Sequence, residues 1–381
     1  MSADLDTIVA WAMVGCAALP CAMTAWNLTL YRRPVPSDEP LTAQDRVDVC
    51  IPARNESENI EACVRGVLES VEVPVRARVY DDQSTDATAE ILSRLAAADA
   101  RVIRVPTEPL PAGWNGKQWG CERMGCSSDA AWLLFTDADV RLDPRAVATA
   151  VRFARRSGSE LVSTFPREIC GSLGEALTVP MIHFVLLGYL PMGLMRRDRR
   201  PALAAGCGQF LLVRREAWRR SGGHGAFKAS MHDGIKLPRS VRASGGRTDL
   251  FDGTELVSCR MYRGFGQSWR GFVKNAYEGL GSLGTLLFFT LVHAVGHLLP
   301  WVVVAAALAG AAGVREIAGP SALAIGLGFL TRVMLARRFR QPWSAVVLHP
   351  IGIALMTAIQ WRSLWVAKRG RRAWKGRVAG A

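Results

Sequence analysis

The stretch Trp132-Leu133-Leu134-Phe135-Thr136-Asp137-Ala138-Asp139 places a short apolar run directly before two carboxylates. A run of that length ending in polar residues reads as a buried strand that delivers its last side chains to a sheet edge. Further short β-type runs lie upstream at residues 47–51, 77–80 and 102–105. Between them, segments 58–71 and 87–98 space their apolar residues at helical intervals. Strands alternating with amphipathic helices predict an α/β layer fold with a mainly parallel sheet.

In open α/β sheets ligands bind outside the carboxyl ends of the strands. Here the first run ends in Pro52-Ala53-Arg54-Asn55-Glu56 and the second in Tyr80-Asp81-Asp82-Gln83-Ser84-Thr85-Asp86, while the run at 132–136 ends in Asp137-Ala138-Asp139. Two acids separated by one small residue aim hard oxygens at one divalent cation, leaving its other positions to water and phosphate oxygens. Taken singly, each piece also has a plainer reading. Residues 81–86 fit an Asx-turn with Ser84 or Asp86 capping the next helix, and paired aspartates arise by chance. The weight lies in three polar strand ends within one α/β unit.

The apolar residues are bunched toward the two ends of the chain. Residues 7–30 follow Asp4 and Asp6 and precede Arg32 and Arg33, which reads as a first span with its N-terminus outside; the acidic start argues against a cleaved signal peptide. Residues 176–195, broken by Pro180 and Pro191 and followed by Arg196, Arg197, Arg199 and Arg200, fit either a buried core helix or a segment lying in the headgroup layer. Runs at 280–313, 318–336 and 343–361 each reach the roughly twenty residues that cross a bilayer. Three simple spans would leave the basic tail outside, against the positive-inside tendency, so one re-entrant element is expected. The organisation predicted is an N-terminal transmembrane helix at 1–33, an α/β domain at 34–279 with an interfacial segment at 174–200, transmembrane or re-entrant helices at 280–366, and a basic cytoplasmic tail at 367–381.

The net charge of +14 is distributed beside the apolar runs and closes the chain with Lys368, Arg369, Arg371, Arg372, Lys375 and Arg377. That placement points to membrane flanks. No aromatic-basic reader motif accompanies it, and no nucleic-acid partner is expected. Nine cysteines without a CxxC pair or zinc spacing fit free thiols in a reducing compartment.

Pro52-Ala53-Arg54-Asn55-Glu56, Asp81-Asp82-Gln83-Ser84-Thr85-Asp86 and Asp137-Ala138-Asp139, in that order, resemble family 2 glycosyltransferases over roughly residues 48–279. Within the family the chain is most similar to membrane members that glycosylate lipids, such as ceramide glucosyltransferase and the hopanoid- and carotenoid-associated transferases. The resemblance implies a GT-A domain, Rossmann-like with a mainly parallel sheet, plus transmembrane helices at both ends. It also implies a nucleotide-sugar donor, UDP-linked by the family's habit, a membrane lipid acceptor, Mn²⁺ or Mg²⁺ as cofactor, and a cytoplasmic catalytic face on a multi-pass cell-membrane protein.

Carried over by motif, Pro52, Arg54, Glu56, Asp81 and Asp82 would line the nucleotide pocket, with Asp82 on the uracil side. Asp137 and Asp139 would be the DxD pair, Asp139 the direct metal ligand. Gly113-Trp114-Asn115-Gly116-Lys117 resembles the GWxGK element, which would bring Lys117 to the diphosphate; the plainer reading is a surface turn. Gly206-Cys207-Gly208-Gln209-Phe210 resembles the glycine-bearing loop beside the donor sugar, with Gly206 and Gly208 allowing close approach. Met231-His232-Asp233-Gly234 falls where the family has a pair of acids, so Asp233 would be the general base and His232, in place of the first acid, its partner or a second candidate. Gln267-Ser268-Trp269-Arg270-Gly271 only partly meets QxxRW, because Trp269 precedes Arg270; Gln267 and Arg270 would hold the acceptor and diphosphate, and Arg260-Met261-Tyr262 resembles an RMY element. The reaction implied is a single displacement with inversion. A processive polysaccharide synthase would need the intact motif, and a catalytically silent membrane scaffold would draw on the departures at His232 and Trp269.

Overall fold

Val47–Ala53 (β1) is buried along its whole length, which requires neighbours on both faces and both edges. They are supplied by a seven-stranded sheet formed with Val75–Asp81 (β2), Val102–Arg104 (β3), Trp132–Phe135 (β4), Leu161–Ser163 (β6), Leu211–Arg214 (β8) and Thr248–Leu250 (β9), in the order β3-β2-β1-β4-β8-β6-β9. Short strands Val140–Leu142 (β5), Arg167–Glu168 (β7) and Val257–Cys259 (β10) lie outside it. In this computed structural model, residues 2–35, 37, 39–369, 373–374 and 377–378 are described. Of the expected basic tail, Arg371, Arg372 and Lys375 lie outside the described residues.

Strand register explains why separate loops share an edge. β1 runs parallel to β2 with Ala53 opposite Asp81, and parallel to β4 with Cys50 opposite Phe135. The residues following each of these strands therefore emerge side by side. β8 is antiparallel to β4, with Leu211 opposite Phe135, so it is the segment before β8 that reaches the same edge. Just past that edge β5 pairs with β10, Val140 opposite Cys259.

Helices Ile60–Leu68 (α2), Thr88–Ala98 (α3), Gly116–Cys126 (α4), Ala146–Ser157 (α5), Arg215–Arg220 (α9) and Asp233–Ala243 (α10) belong to the same unit, which is built mainly from Tyr31–Arg167 and Gly193–Met261. The mainly parallel α/β layer expected from the sequence is thus present. A buried Asp48 on β1 is matched by Arg76 at 2.8 Å, Arg78 at 3.3 Å and the Ser128 hydroxyl at 2.7 Å. A buried carboxylate so surrounded is not left uncompensated.

The second unit is helical and is described by itself. It contains Ser2–Leu30 (α1), Leu173–Thr178 (α6), Met181–Tyr189 (α7), Phe265–Leu280 (α11), Leu283–His293 (α12), Leu299–Leu308 (α13), Arg315–Phe339 (α14), Ser344–Val347 (α15) and His349–Lys368 (α16). The proline-broken stretch becomes three short helices, α6, α7 and Met192–Arg197 (α8), parted near Pro180 and Pro191. Asn27 closes α7 by donating to Leu187 O at 2.8 Å and Leu190 O at 2.7 Å, carbonyls a helix end would otherwise leave open.

Among the described residues three helices, Leu5–Leu30, Leu283–Leu308 and Ala312–Phe339, are long and apolar enough to cross a membrane. Residues 343–361 instead divide into α15 and the start of α16, and α16, which carries Gln360 and Arg362, is not one of the three. Between α12 and α13 a π-turn, Ala294–Leu298, precedes Pro300, whose ring would clash with an ordinary helical carbonyl four residues back. At this turn Gly296 sits so near α1 that a Cβ would meet Ala17 N at 2.8 Å.

Candidate active site

The site is built where β1, β2 and β4 end. Asp81 does not point outward as a free ligand: its Oδ1 accepts from Ser84 N at 3.1 Å and Ser84 Oγ at 2.5 Å, closing the turn after β2. Asp86 is committed in the same way to Thr88 and Ser57, and although burial opposes it, those hydrogen bonds hold its carboxyl below the ordinary aspartate value. Asp82 is buried, with Arg54 Nη1 3.6 Å from its Oδ2 and donating to its backbone carbonyl. Pro52 lies within β1 opposite Tyr80, and Glu56 accepts from Asn59 Nδ2 at 3.2 Å. Asn55 and Gln83 both adopt positive φ, 53° and 54°, the tight turns that let these two strand ends interlock through Asn55 Oδ1 and Thr85 N at 2.8 Å.

Asp137, Asp233 and Lys117 meet. Lys117 Nζ stands 2.7 Å from Asp137 Oδ1 and 2.9 Å from Asp233 Oδ2. Lys117 is the second residue of α4, whose N-cap Asn115 accepts from Lys117 N at 2.9 Å. The α4 terminus also anchors the loop carrying His232 and Asp233: Asn115 N donates to Lys228 O at 2.7 Å, and Gln118 Nε2 donates to Ser230 O at 3.2 Å. The GWxGK-like segment is therefore a helix start tied to the site, not a free turn.

Asp233 is only 4% exposed and opens α10, where the helix dipole favours a carboxylate. Burial pushes its carboxyl up, but Lys117, with His224 and His232, outweighs that and leaves it below the ordinary aspartate value. Burial likewise opposes the charge on Lys117, yet Asp137 and Asp233 hold its ammonium well above the ordinary lysine value. Asp139 behaves oppositely. Burial, then Asp137 and Glu56, raise its carboxyl to about 7. Its Oδ1 is sealed from solvent with no hydrogen-bond donor among the described residues.

Gly206 and Gly208 are explained by backbone packing. A Cβ on Gly208 would fall inside the Asp233 carboxylate, and one on Gly206 would meet Gly234 O at 3.0 Å and Pro238 Cγ at 3.1 Å. The loop before β8 and the start of α10 are thus pressed together through glycines on both sides. Gln267 and Arg270 sit on exposed positions of α11 in the helical unit, where Gln267 Oε1 accepts from Arg263 N at 2.8 Å.

Two participants were not singled out by the sequence. His224 is fully buried, accepts from Trp218 Nε1 at 3.0 Å, and is kept neutral by burial, which lowers its value to about 3. Its place near Asp233 comes from tertiary packing, and a lone His in Gly222-Gly223-His224-Gly225 gives no spacing signal. Cys259 reaches Asp139 from β10 and accepts from Gln209 Nε2 at 3.0 Å. Only the β5–β10 pairing, invisible in the local sequence, puts it there.

The family model for glycosyltransferase-like family 2 matches residues 44–275, more than half of the chain and all of the strands just described. The chain belongs to the glycosyltransferase-like family 2. It is therefore a member of a transferase family, and the sheet order above is its GT-A scaffold. Among curated relatives, 4,4'-diaponeurosporenoate glycosyltransferase of Staphylococcus haemolyticus is 25% identical over 260 residues, 68% of this chain and 66% of that protein. An uncharacterized Mycobacterium tuberculosis protein is 32% identical over 110 residues, 29% of this chain and 33% of its own length. The match thus spans just under two thirds of the first relative and a third of the second. Among solved structures, the mannosyltransferase PcManGT of Pyrobaculum calidifontis, in complex with GDP-Man and Mn²⁺, superposes with a TM-score of 0.56 at 15% identity, covering 95% of this chain and 99% of that one. At that identity the likeness concerns the fold of this family 2 member.

Proposed function

We propose that this family 2 member is an inverting glycosyltransferase that moves a sugar from a nucleoside diphosphate sugar to a hydroxyl or carboxyl of a membrane lipid-type acceptor. The observation that carries the reading is Lys117 bridging Asp137 and Asp233, with Asp139 beside them. It ties a cation-binding pair to an ionised carboxylate through one largely buried ammonium.

A divalent ion fits the donor set. Asp139 offers a sealed oxygen with no donor among the described residues and a carboxyl raised by burial and by neighbouring acids, a strain that a bound cation relieves. Among the described residues no three ligating side chains gather, which suits an ion held by one or two carboxylates and completed by phosphate oxygens and water. Asp139 with Asp137 would hold Mn²⁺ or Mg²⁺, whose contribution when bound is to offset charge on the donor diphosphate.

The chain's own residues perform the rest. Arg54 and the Asp82 edge receive the nucleotide, UDP in our reading. Asp233, kept ionised at neutral pH by Lys117, takes the proton as the acceptor O–H bond breaks. The acceptor oxygen forms its bond to the anomeric carbon while the bond from that carbon to the diphosphate breaks, the diphosphate leaving with the electron pair. His232 flanks the base, and Arg270 and Gln267 would serve the diphosphate and acceptor.

A lipid-type acceptor is supported by the three apolar helices and by the relative named for diaponeurosporenoate. We place the chain in the cell membrane as a multi-pass protein with its catalytic unit on the cytoplasmic face, because Arg32 and Arg33 follow the first helix. Asp233→Asn in the purified full chain should lower kcat by about 10²–10⁴ while donor KM stays within about threefold, measured by sugar transfer under saturating Mn²⁺. Near-normal turnover would remove Asp233 from the base role.

A further inference from the structure

The helical unit contains an arginine that the proposed transfer reaction does not use. Arg332 on α14 is 1% exposed, and no carboxylate pairs with it among the described residues. Its hydrogen bonds among the described residues run to two backbone carbonyls, Nε to Ala345 O at 3.4 Å and Nη1 to Pro180 O at 3.3 Å. A guanidinium buried in an apolar helical bundle is costly unless something neutralises it.

Its surroundings are short of acceptors. The buried face of α14 carries Gly328, Arg332 and Phe339. One turn before Arg332, Gly328 is so close to two imidazoles that a Cβ would lie 3.3 Å from His297 Nδ1 and 3.4 Å from His349 Nε2. Those two nitrogens are 3.1 Å apart, while His297 Nε2 and His349 Nδ1 are sealed and without partners among the described residues. Whichever ring donates between them, a neutral pair leaves one N–H with no acceptor. Two turns after Gly328, Leu335 leads to Phe339, which stacks on His183 at 4.1 Å between ring centroids. The charge on Arg332 and the orphan N–H of the imidazole pair packed against Gly328 of the same helix both call for an anion, and none pairs with them among the described residues.

We propose that Arg332, with the paired imidazoles of His297 and His349, forms a site in the helical unit for the acidic head group, carboxylate or phosphate, of a membrane-dissolved amphiphile. Apolar residues such as Phe184, whose ring lies 5.5 Å from His297 and 5.4 Å from His349, suit the hydrocarbon next to that head. The site is stated for binding alone and stands whether or not its occupant is the acceptor of transfer. A role for Arg332 limited to clamping two carbonyls needs hydrogen bonds but no charge, and a glutamine amide supplies donors of that kind.

The test uses the full chain in phosphatidylcholine nanodiscs with cis-parinaric acid and its methyl ester as probes, read by quenching of tryptophan fluorescence. The acid should bind at least about tenfold more tightly than the ester. Arg332→Gln should shrink that preference below about twofold and Arg332→Lys should retain most of it, with unchanged melting temperatures showing that both variants fold. Millimolar inorganic phosphate should not displace the acid. Equal binding of acid and ester to the unaltered chain overturns the proposal without any variant. So does an undiminished preference in Arg332→Gln, and displacement by free phosphate would make this a site for a soluble anion instead. Sugar transfer is not read, so failure here leaves the catalytic reading standing, and the reverse.

Discussion

Two aspartates that share one lysine, Asp139 and Asp233, are shifted in opposite directions, and the residues around them say why. Lys117 keeps Asp233 ionised, so replacing it with Met removes the attraction that lowers that carboxyl. The acid limb of the pH profile of kcat/KM should then move to higher pH, by at least about one unit, in whatever activity remains. Asp139, raised to about 7, must shed its proton to hold a cation. Mn²⁺ should accordingly bind about tenfold more tightly at pH 8 than at pH 6, measured from free Mn²⁺ by electron paramagnetic resonance. Loss of that dependence in Asp139→Asn would locate it. These residues were legible because short polar motifs follow apolar runs. Their division of labour was not: Asp81 looks as exposed as Asp82 in sequence, yet it is spent on Ser84.

At the scale of elements, the strand ends and helix starts do the positioning. The order of β1, β2 and β4 could be expected from alternation, since parallel strands linked by helices put their carboxyl ends together. The antiparallel return of β8 could not, because it depends on which strand 211–214 pairs with, and that pairing brings Gly206 and Gly208 against α10. From sequence these glycines suggest room for substrate; in the fold they make room for Asp233. Gly208→Ala should therefore lower transfer by at least about a hundredfold by displacing the base, with melting temperature as the control. Gly206→Ala, whose nearest contacts are 3.0–3.1 Å, should cost less. An unaffected Gly208→Ala enzyme would show that the carboxylate position does not matter.

For the whole molecule, bunched hydrophobicity at both chain ends announced apolar helices, and among the described residues three meet the length and composition for crossing a bilayer. What sequence did not reveal is the internal chemistry of the helical unit, because Arg332, His297 and His349 are far apart in the chain and each alone resembles an ordinary core or flanking residue. An altered QxxRW segment at Gln267 and Arg270 accords with transfer of single sugars, whereas a ladder of product lengths would mark polymer synthesis. The most direct test incubates membranes containing the full chain with a panel of labelled nucleotide sugars and Mn²⁺, then weighs the extracted lipids by mass spectrometry. The account predicts one lipid species heavier by a single sugar, absent with Asp233→Asn; label appearing only in water-soluble product, or persisting in that variant, would contradict it.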